Sequence, residues 1–113
     1  MKIYHNPKCS KSRQTLALVE EKTKAIEIVE YLKNPLSAEE ITVLLSQINI
    51  KPIELVRTQE TTWKENYKGK ELTETEIINA MAENPKLIER PIVVKDNKAI
   101  IGRPPENVLS LFA

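Results

Sequence analysis

The run Lys2-Ile3-Tyr4-His5-Asn6-Pro7-Lys8-Cys9-Ser10-Lys11-Ser12-Arg13 holds the one cysteine of the chain. A short apolar strand breaks there at Asn6-Pro7, and a helix is expected to start at Ser10. A helix start presents unpaired N–H groups and a partial positive charge, which favour thiolate over thiol, and Lys8, Lys11 and Arg13 add cationic potential. Inert cysteines usually lie in apolar runs instead, so Cys9 is the candidate nucleophile. A free thiol with a pKa of about 8.5 is only a few per cent ionised at neutral pH, and a drop of two units amounts to roughly 2.7 kcal/mol. A helix terminus supplies about 0.3–1 kcal/mol, rising to about 2 in the best cases. Neighbouring charges and hydrogen bonds must supply the remainder.

The cations are unevenly chosen. Thirteen of the seventeen are lysines, and the four arginines are Arg13 beside the thiol, Arg57, Arg90 and Arg103. Arg90 and Arg103 each directly precede a proline. Arginine's rigid planar fork suits bidentate binding of an oxyanion, whereas lysine offers a flexible point charge. Keeping arginine at rigid junctions of a lysine-rich chain invites a functional reading, although any single arginine is also explained as a surface residue whose stem covers apolar atoms.

Of three further side chains near the thiol, two carry two readings each. His5 either stabilises the thiolate or shuttles a proton, or it is structural at a strand end. Ser12 stands where a Cys-x-x-Cys motif would place its second sulfur; its hydroxyl either bonds the Cys9 sulfur or satisfies a first-turn backbone donor. Arg13 lies one residue further round the helix and is expected to give electrostatic support rather than to bind a ligand. Asn6 and Pro7 are expected to shape the turn, and Trp63 and Tyr67, one helical turn apart, read as packing residues.

Composition bounds the chemistry. With 113 residues, 41% hydrophobic and 29% charged, the chain is expected to form one globular domain with a core of its own. It shows no twenty-residue apolar span and no basic-then-apolar leader, so a cytoplasmic protein without a membrane partner is expected. A net charge of +1 advertises no nucleic-acid partner. A lone cysteine forbids an intrachain disulfide and supplies too few soft ligands for a structural zinc site, so no metal is expected. Whatever oxidised form Cys9 takes, a reductant from outside the chain must reverse it.

The elements that position these residues follow from periodicity. Lys2 to His5 reads as a strand, Ser10 to about Glu21 as a helix turning Leu16, Val19 and Thr15 inward, and Ala25 to Tyr31 as a second strand with Ile26 and Ile28 in alternation. A right-handed crossover makes these a parallel βαβ unit. Ser37-Ala38-Glu39-Glu40 is a capping box opening a helix with Ile41, Leu44, Leu45 and Ile48 on one face. A second box, Thr73 to Glu76, opens a helix with Ile77, Ile78 and Met81 that stops before Pro85. Pro52 to Tyr67 reads as short helical pieces with Arg57 at a bend. Ile92 to Lys95 and Lys98 to Ile101 flank the two-residue turn Asp96-Asn97 as an antiparallel hairpin. Beyond Gly102-Arg103-Pro104-Pro105 a final helix is expected through Val108, Leu109 and Phe112. The expected architecture is an α/β thioredoxin-like fold over residues 1–113: βαβ, a helical insertion at about 37–88, a β-hairpin and a C-terminal helix, with a mixed four-stranded sheet.

At this point four segments taken jointly resemble the glutaredoxin-coupled arsenate reductases: His5 to Arg13, Arg57, Glu89-Arg90-Pro91-Ile92-Val93-Val94 and Gly102-Arg103-Pro104-Pro105-Glu106. The resemblance runs from Met1 to about Leu111. It implies Cys9 as nucleophile, Arg57, Arg90 and Arg103 as oxyanion ligands, and Pro91 as the cis-proline of thioredoxin-like sites. It further implies arsenate as substrate, glutathione as co-substrate with no bound cofactor, and glutaredoxin as partner. Arsenate carries one to two negative charges at neutral pH and an attacking thiolate adds another, a total that three guanidinium groups roughly balance.

Rival readings differ in specific letters. Phosphatase-like, thioredoxin-coupled arsenate reductases need Cys-x-x-x-x-x-Arg and further cysteines; position 15 is Thr15 and no other thiol exists, which excludes that mechanism. RNA-polymerase-binding regulators of the same superfamily usually sense oxidants through Cys-x-x-Cys, which Ser12 denies. A glutathione-dependent thiol oxidoreductase without arsenate activity is the stronger challenger, and the triple of Arg57, Arg90 and Arg103 argues against it.

Overall fold

The computed structural model describes residues 1–112, which divide into two compact units: residues 1–34 with the chain from Arg90 onward, and Pro35–Glu89.

The first unit holds β1 (Lys2–Tyr4), α1 (Ser10–Lys22), β2 (Glu27–Val29), β3 (Ile92–Lys95) and β4 (Lys98–Ile101). The strands form one mixed sheet in the order β2-β1-β3-β4, with β1 parallel to β2 and antiparallel to β3, and β3 antiparallel to β4. This is the mixed four-stranded thioredoxin-like sheet expected from the element order. Alternation puts Ile3 opposite Val93, and both are fully buried with Val19 of α1 and Val108, while Leu16, Leu18 and Ile26 pack around them. The buried stripe of α1 is Ser12, Thr15 and Val19, polar at its first turns and apolar only further along. A helix face that begins polar must meet polar groups where it begins.

β2 is shorter than the alternation of Ile26 and Ile28 suggests. It lies at an edge, where only β1 can pair with it, and pairing runs out with that strand; Ile28 is 47% exposed. Pairing does continue one step past β1, since the His5 N–H donates to the Val29 carbonyl at 2.8 Å. The hairpin turn forms with Asp96 in the left-handed region, φ 57°, as a two-residue turn between twisted strands requires.

The expected C-terminal helix forms over Pro105–Phe112, wound as a 3₁₀ helix. A repeat of three places Pro105, Val108 and Leu111 on one face. Pro105 and Val108 are indeed buried and Leu111 packs on the core, whereas Leu109 stays 39% exposed. Lys95 holds the end of the segment, donating from Nζ to the Leu111 carbonyl at 3.0 Å with its ammonium 5.1 Å from the Phe112 ring centroid.

The second unit comprises α2 (Ala38–Ile48), α3 (Thr61–Asn66) and α4 (Glu74–Glu83), with 3₁₀ turns at Pro52–Leu55 and Pro85–Leu87. Both expected capping boxes form: Ser37 Oγ accepts from the Glu40 N–H and Thr73 Oγ1 from the Glu76 N–H, each at 3.1 Å. Helices α2 and α4 pack together, burying Ile41, Leu44 and Leu45 on one and Ile77, Ala80 and Met81 on the other. Trp63 stacks on Tyr67 with ring centroids 5.3 Å apart, and Asn84 Nδ2 donates to the Tyr67 hydroxyl at 3.2 Å. Both aromatic residues are thus part of the packing.

Candidate active site

Strand register gathers four chain segments at one end of the sheet. Tyr4, the last residue of β1, pairs with Val29, the last of β2, and with Ile92, the first of β3; Ile92 pairs with Ile101, the last of β4. The loop 5–9, Glu30, the Arg90-Pro91 junction and the Gly102-Arg103-Pro104 turn therefore leave the sheet at the same end. Both Arg90-Pro91 and Arg103-Pro104 are cis peptides, so the expectation for Pro91 extends to a second X-Pro junction.

Asn6 closes the loop before Cys9. Its Oδ1 accepts from the Lys8 N–H and its carbonyl from the Cys9 N–H, each at 3.0 Å. Arg13 straps the outside, donating from Nη1 to the Pro7 carbonyl at 2.9 Å. Cys9 is thereby placed as the N-cap of α1, a helix with no acidic residue in its first turn. Its thiol is half-buried. Burial is the largest single influence and disfavours the anion, but it is outweighed by the Ser12 N–H, the charge and hydrogen bonding of the Arg90 guanidinium, and the Lys11 N–H, which together pull the pKa below the ordinary thiol value. Lys11 and Ser12 supply the second and third amides of the helix, the donors a capping side chain normally satisfies. No cap hydrogen bond to Sγ is closed in this geometry, so the sulfur is favoured as an anion yet not sequestered.

The Ser12 hydroxyl does not serve the sulfur. It is fully buried, lies 2.7 Å from His5 Nδ1 and accepts from the Asn6 N–H at 3.0 Å. A hydroxyl has one donor and two acceptor sites, so it can bond Asn6 and Nδ1 together, with the imidazole tautomer setting which of the two donates in the Nδ1 contact. Of the two readings of Ser12, the backbone-donor one describes its side chain, and only its N–H acts on Cys9. His5 belongs to the same interior network, fixing the loop against α1. Burial lowers its pKa, Arg13 adds in the same direction, and Glu30 and Glu20 oppose.

A pH dependence follows from that shift. The unfolded chain takes up the His5 proton near the ordinary value of about 6.5, the folded chain only at lower pH. Stability from neutral His5 is complete above the ordinary value and is lost as pH falls from there through the folded pKa. The slope is at most about 1.4 kcal/mol per pH unit. Urea midpoints measured across this window are expected to fall more steeply for the native chain than for His5→Gln.

Gly102 and Thr15 brace the far side of the site, a feature that sequence reading missed. The Gly102 N–H donates to the Pro91 carbonyl at 2.8 Å, and the Thr15 hydroxyl is shared between the carbonyls of Lys11 at 2.8 Å and Gly102 at 3.1 Å. A Cβ on Gly102 would lie 2.7 Å from Thr15 Cγ2 and 3.1 Å from Pro91 Cγ. The available signal was that Gly102 is one of only two glycines in the chain. Gly102→Ala is expected to cost about 1–3 kcal/mol, read as a lower urea midpoint, and adding Thr15→Ser should recover part of it by removing the clashing methyl.

The remaining arginines differ in setting. Arg90 is half-buried and its Nε is buried without a hydrogen-bond partner among the described residues. Arg103 leaves the Gly102 brace exposed, its carbonyl accepting from Asn107 Nδ2 at 3.1 Å; Arg90, not Arg103, is the arginine that acts on the thiol. Arg57 belongs to the second unit, at the bend expected for it. Val56 bridges Ile88, and the Arg57 N–H donates to the Leu87 carbonyl at 2.6 Å. Its side chain is half-buried, with Nη1 buried and unpartnered among the described residues. Three or more His, Cys, Asp or Glu side chains nowhere converge as a metal site among the described residues, and no helix there is long and apolar enough to cross a membrane.

A mixed sheet that sets a cysteine at the N-cap of its first helix, beside the arginine of a cis Arg-Pro junction opening β3, is of thioredoxin-like build. Comparison with known proteins narrows that class. The chain belongs to the ArsC family, whose sequence profile matches residues 4–111. It is similar to YfgD of Escherichia coli K12, 49% identical over 98% of this chain and 95% of that protein. It is 42% identical to an arsenate reductase of Haemophilus influenzae over 97% of each chain. Among solved structures, an arsenate reductase from Vibrio cholerae superposes with a TM-score of 0.91 at 46% identity, covering 97% of each chain.

Proposed function

We propose that the protein is an arsenate reductase in which Cys9 is the nucleophile. The observation that carries this reading is a thiol drawn toward its anion by Arg90 and by two first-turn amides of a helix start that holds no acid. An anionic nucleophile meeting an anionic substrate needs such an excess of positive potential, supplied in advance by fixed donors. Kinship with arsenate reductases of Haemophilus influenzae and Vibrio cholerae supports arsenate as the oxyanion.

The Cys9 thiolate attacks arsenic and displaces hydroxide, giving a covalent thiol–arsenate adduct. Glutathione then attacks the Cys9 sulfur; the two sulfurs become a mixed disulfide, and the electron pair of the S–As bond leaves with arsenic, which departs as trivalent arsenite. A glutaredoxin returns Cys9 to the thiol. The chain has no second cysteine, so the second reducing sulfur has to come from another molecule. Arg90 and Arg103 hold the oxyanion in this scheme, and Arg57, with an unpartnered guanidinium nitrogen, is assigned the same task.

Purified protein given arsenate, glutathione, glutaredoxin, glutathione reductase and NADPH is expected to release one arsenite per NADPH consumed. NADPH oxidation without arsenite would favour a thiol oxidoreductase of the same fold. Arsenite release with dithiothreitol but not with glutathione and glutaredoxin would keep the reductase and reject its coupling.

A further inference from the structure

The free edge of β2 lies away from the thiol and carries a pattern that the proposed chemistry does not use. The Glu27 N–H donates to the Met1 carbonyl and the Val29 carbonyl accepts from the His5 N–H, each at 2.8 Å. Along a strand, alternate residues bond to alternate sides, so Ile26 and Ile28 turn their backbone groups outward, while the Glu30 carbonyl turns back to accept from the Lys33 and Asn34 N–H groups, each at 3.0 Å. Beside this edge lies a groove of about 330 Å³ lined by Glu20, Thr23, Lys24, Ile26 and Ile28. Exposed edges of this kind are usually covered or blunted.

We propose that the edge is covered by a second copy of this chain, the two β2 strands pairing antiparallel about a two-fold axis at Glu27. Hydrogen-bonded pairs must then join outward-turned residues, and this axis sets Ile26 against Ile28 of the second copy, with the side chains of Lys24 and of the second copy's Glu30 brought together just beyond the ladder. Symmetry makes each pair twice, so a strand that is basic at one end and acidic at the other is its own complement. The two Glu27 side chains meet on the opposite face, but each is flanked by Lys2, its cross-strand neighbour on β1, giving the row Lys2, Glu27, Glu27, Lys2. The neighbouring axes are worse: about Ile28, Ile26 would face Glu30, and about Ile26, Lys24 would face Ile28. Glu30 already meets Lys33 at 3.5 Å on the surface, an exposed pair too weak to hold it from a better partner. The dimer stands or falls independently of what Cys9 does.

Sedimentation of the full chain is expected to shift with concentration from 12.9 kDa toward twice that mass. Lys24→Glu should abolish the shift, and Lys24→Glu with Glu30→Lys should restore it. A second readout uses the Cys9→Ser background with one new thiol under diamide. Glu27→Cys is expected to form a covalent dimer at least about tenfold faster than Glu21→Cys, an exposed collision control. Cα atoms of a non-hydrogen-bonded antiparallel pair lie about 4.5 Å apart, within disulfide reach. Ile28→Cys, two residues out of register with its own copy, should match the control. A single-chain mass at every concentration up to about 1 mM, failure of the charge swap to restore association, or linkage at position 28 as fast as at 27 would each overturn the proposal.

Discussion

Cys9→Ser is expected to abolish arsenite release in the coupled assay, by at least about a thousandfold, while leaving the fold intact. Removing a nucleophile that forms a covalent intermediate costs this much because no other group replaces it. Cys9 is the one thiol in the chain. Serine keeps the N-cap position and is a favoured capping residue, so the helix should lose nothing. Equal urea midpoints for the two proteins would separate lost chemistry from lost structure. Residual turnover within a factor of ten of the native rate would sink the assignment of Cys9.

Arg90→Ala is expected to raise the thiol pKa and slow the enzyme by a larger factor than it slows thiol alkylation. Among the groups that draw Cys9 toward the thiolate, Arg90 alone contributes a full charge together with a hydrogen bond. A hydrogen bond to a charged group is worth about 1.5–3 kcal/mol, or roughly 10- to 150-fold. The sign is fixed: without Arg90, iodoacetamide alkylation should reach half its maximal rate at higher pH. Arsenate turnover should fall further than alkylation, because the same guanidinium is assigned to the substrate. Arg90→Lys keeps the charge without the planar fork, so it should restore much of the alkylation profile and little of the turnover. Identical alkylation profiles for the native and Arg90→Ala proteins would show that the helix start alone sets the thiol.

Local signals were legible wherever a single element decides the outcome. The two capping boxes, the stripes on α2 and α4, the Asp96-Asn97 turn and the N-terminal position of Cys9 on α1 all follow from residues within one turn or one hairpin of each other. The mixed four-stranded sheet was legible as well, from a parallel βαβ unit and an antiparallel hairpin, although its strand order was read only from the structure. The last segment was legible as a helix through Val108, Leu109 and Phe112 but not in its 3₁₀ winding, which sets Pro105, Val108 and Leu111 on one face at a period of three and leaves Leu109 exposed. β2 was drawn too long because alternation describes a strand's preference and not the length of its neighbour.

The sequence by itself determined that the chain's one thiol would stand at a helix start and that Arg90 and Arg103 would each be held at a junction with proline. These are properties of covalent order: which residue caps, which precedes proline, which thiol has no partner. Only the tertiary structure decided which arginine acts on the sulfur, through the Tyr4–Ile92 register that brings Arg90 to the end of β1. It also turned the Ser12 hydroxyl inward to His5 and closed Gly102 against Thr15. Residues distant in sequence become neighbours only when strand pairing and core packing set their spacing, and no local propensity carries that distance.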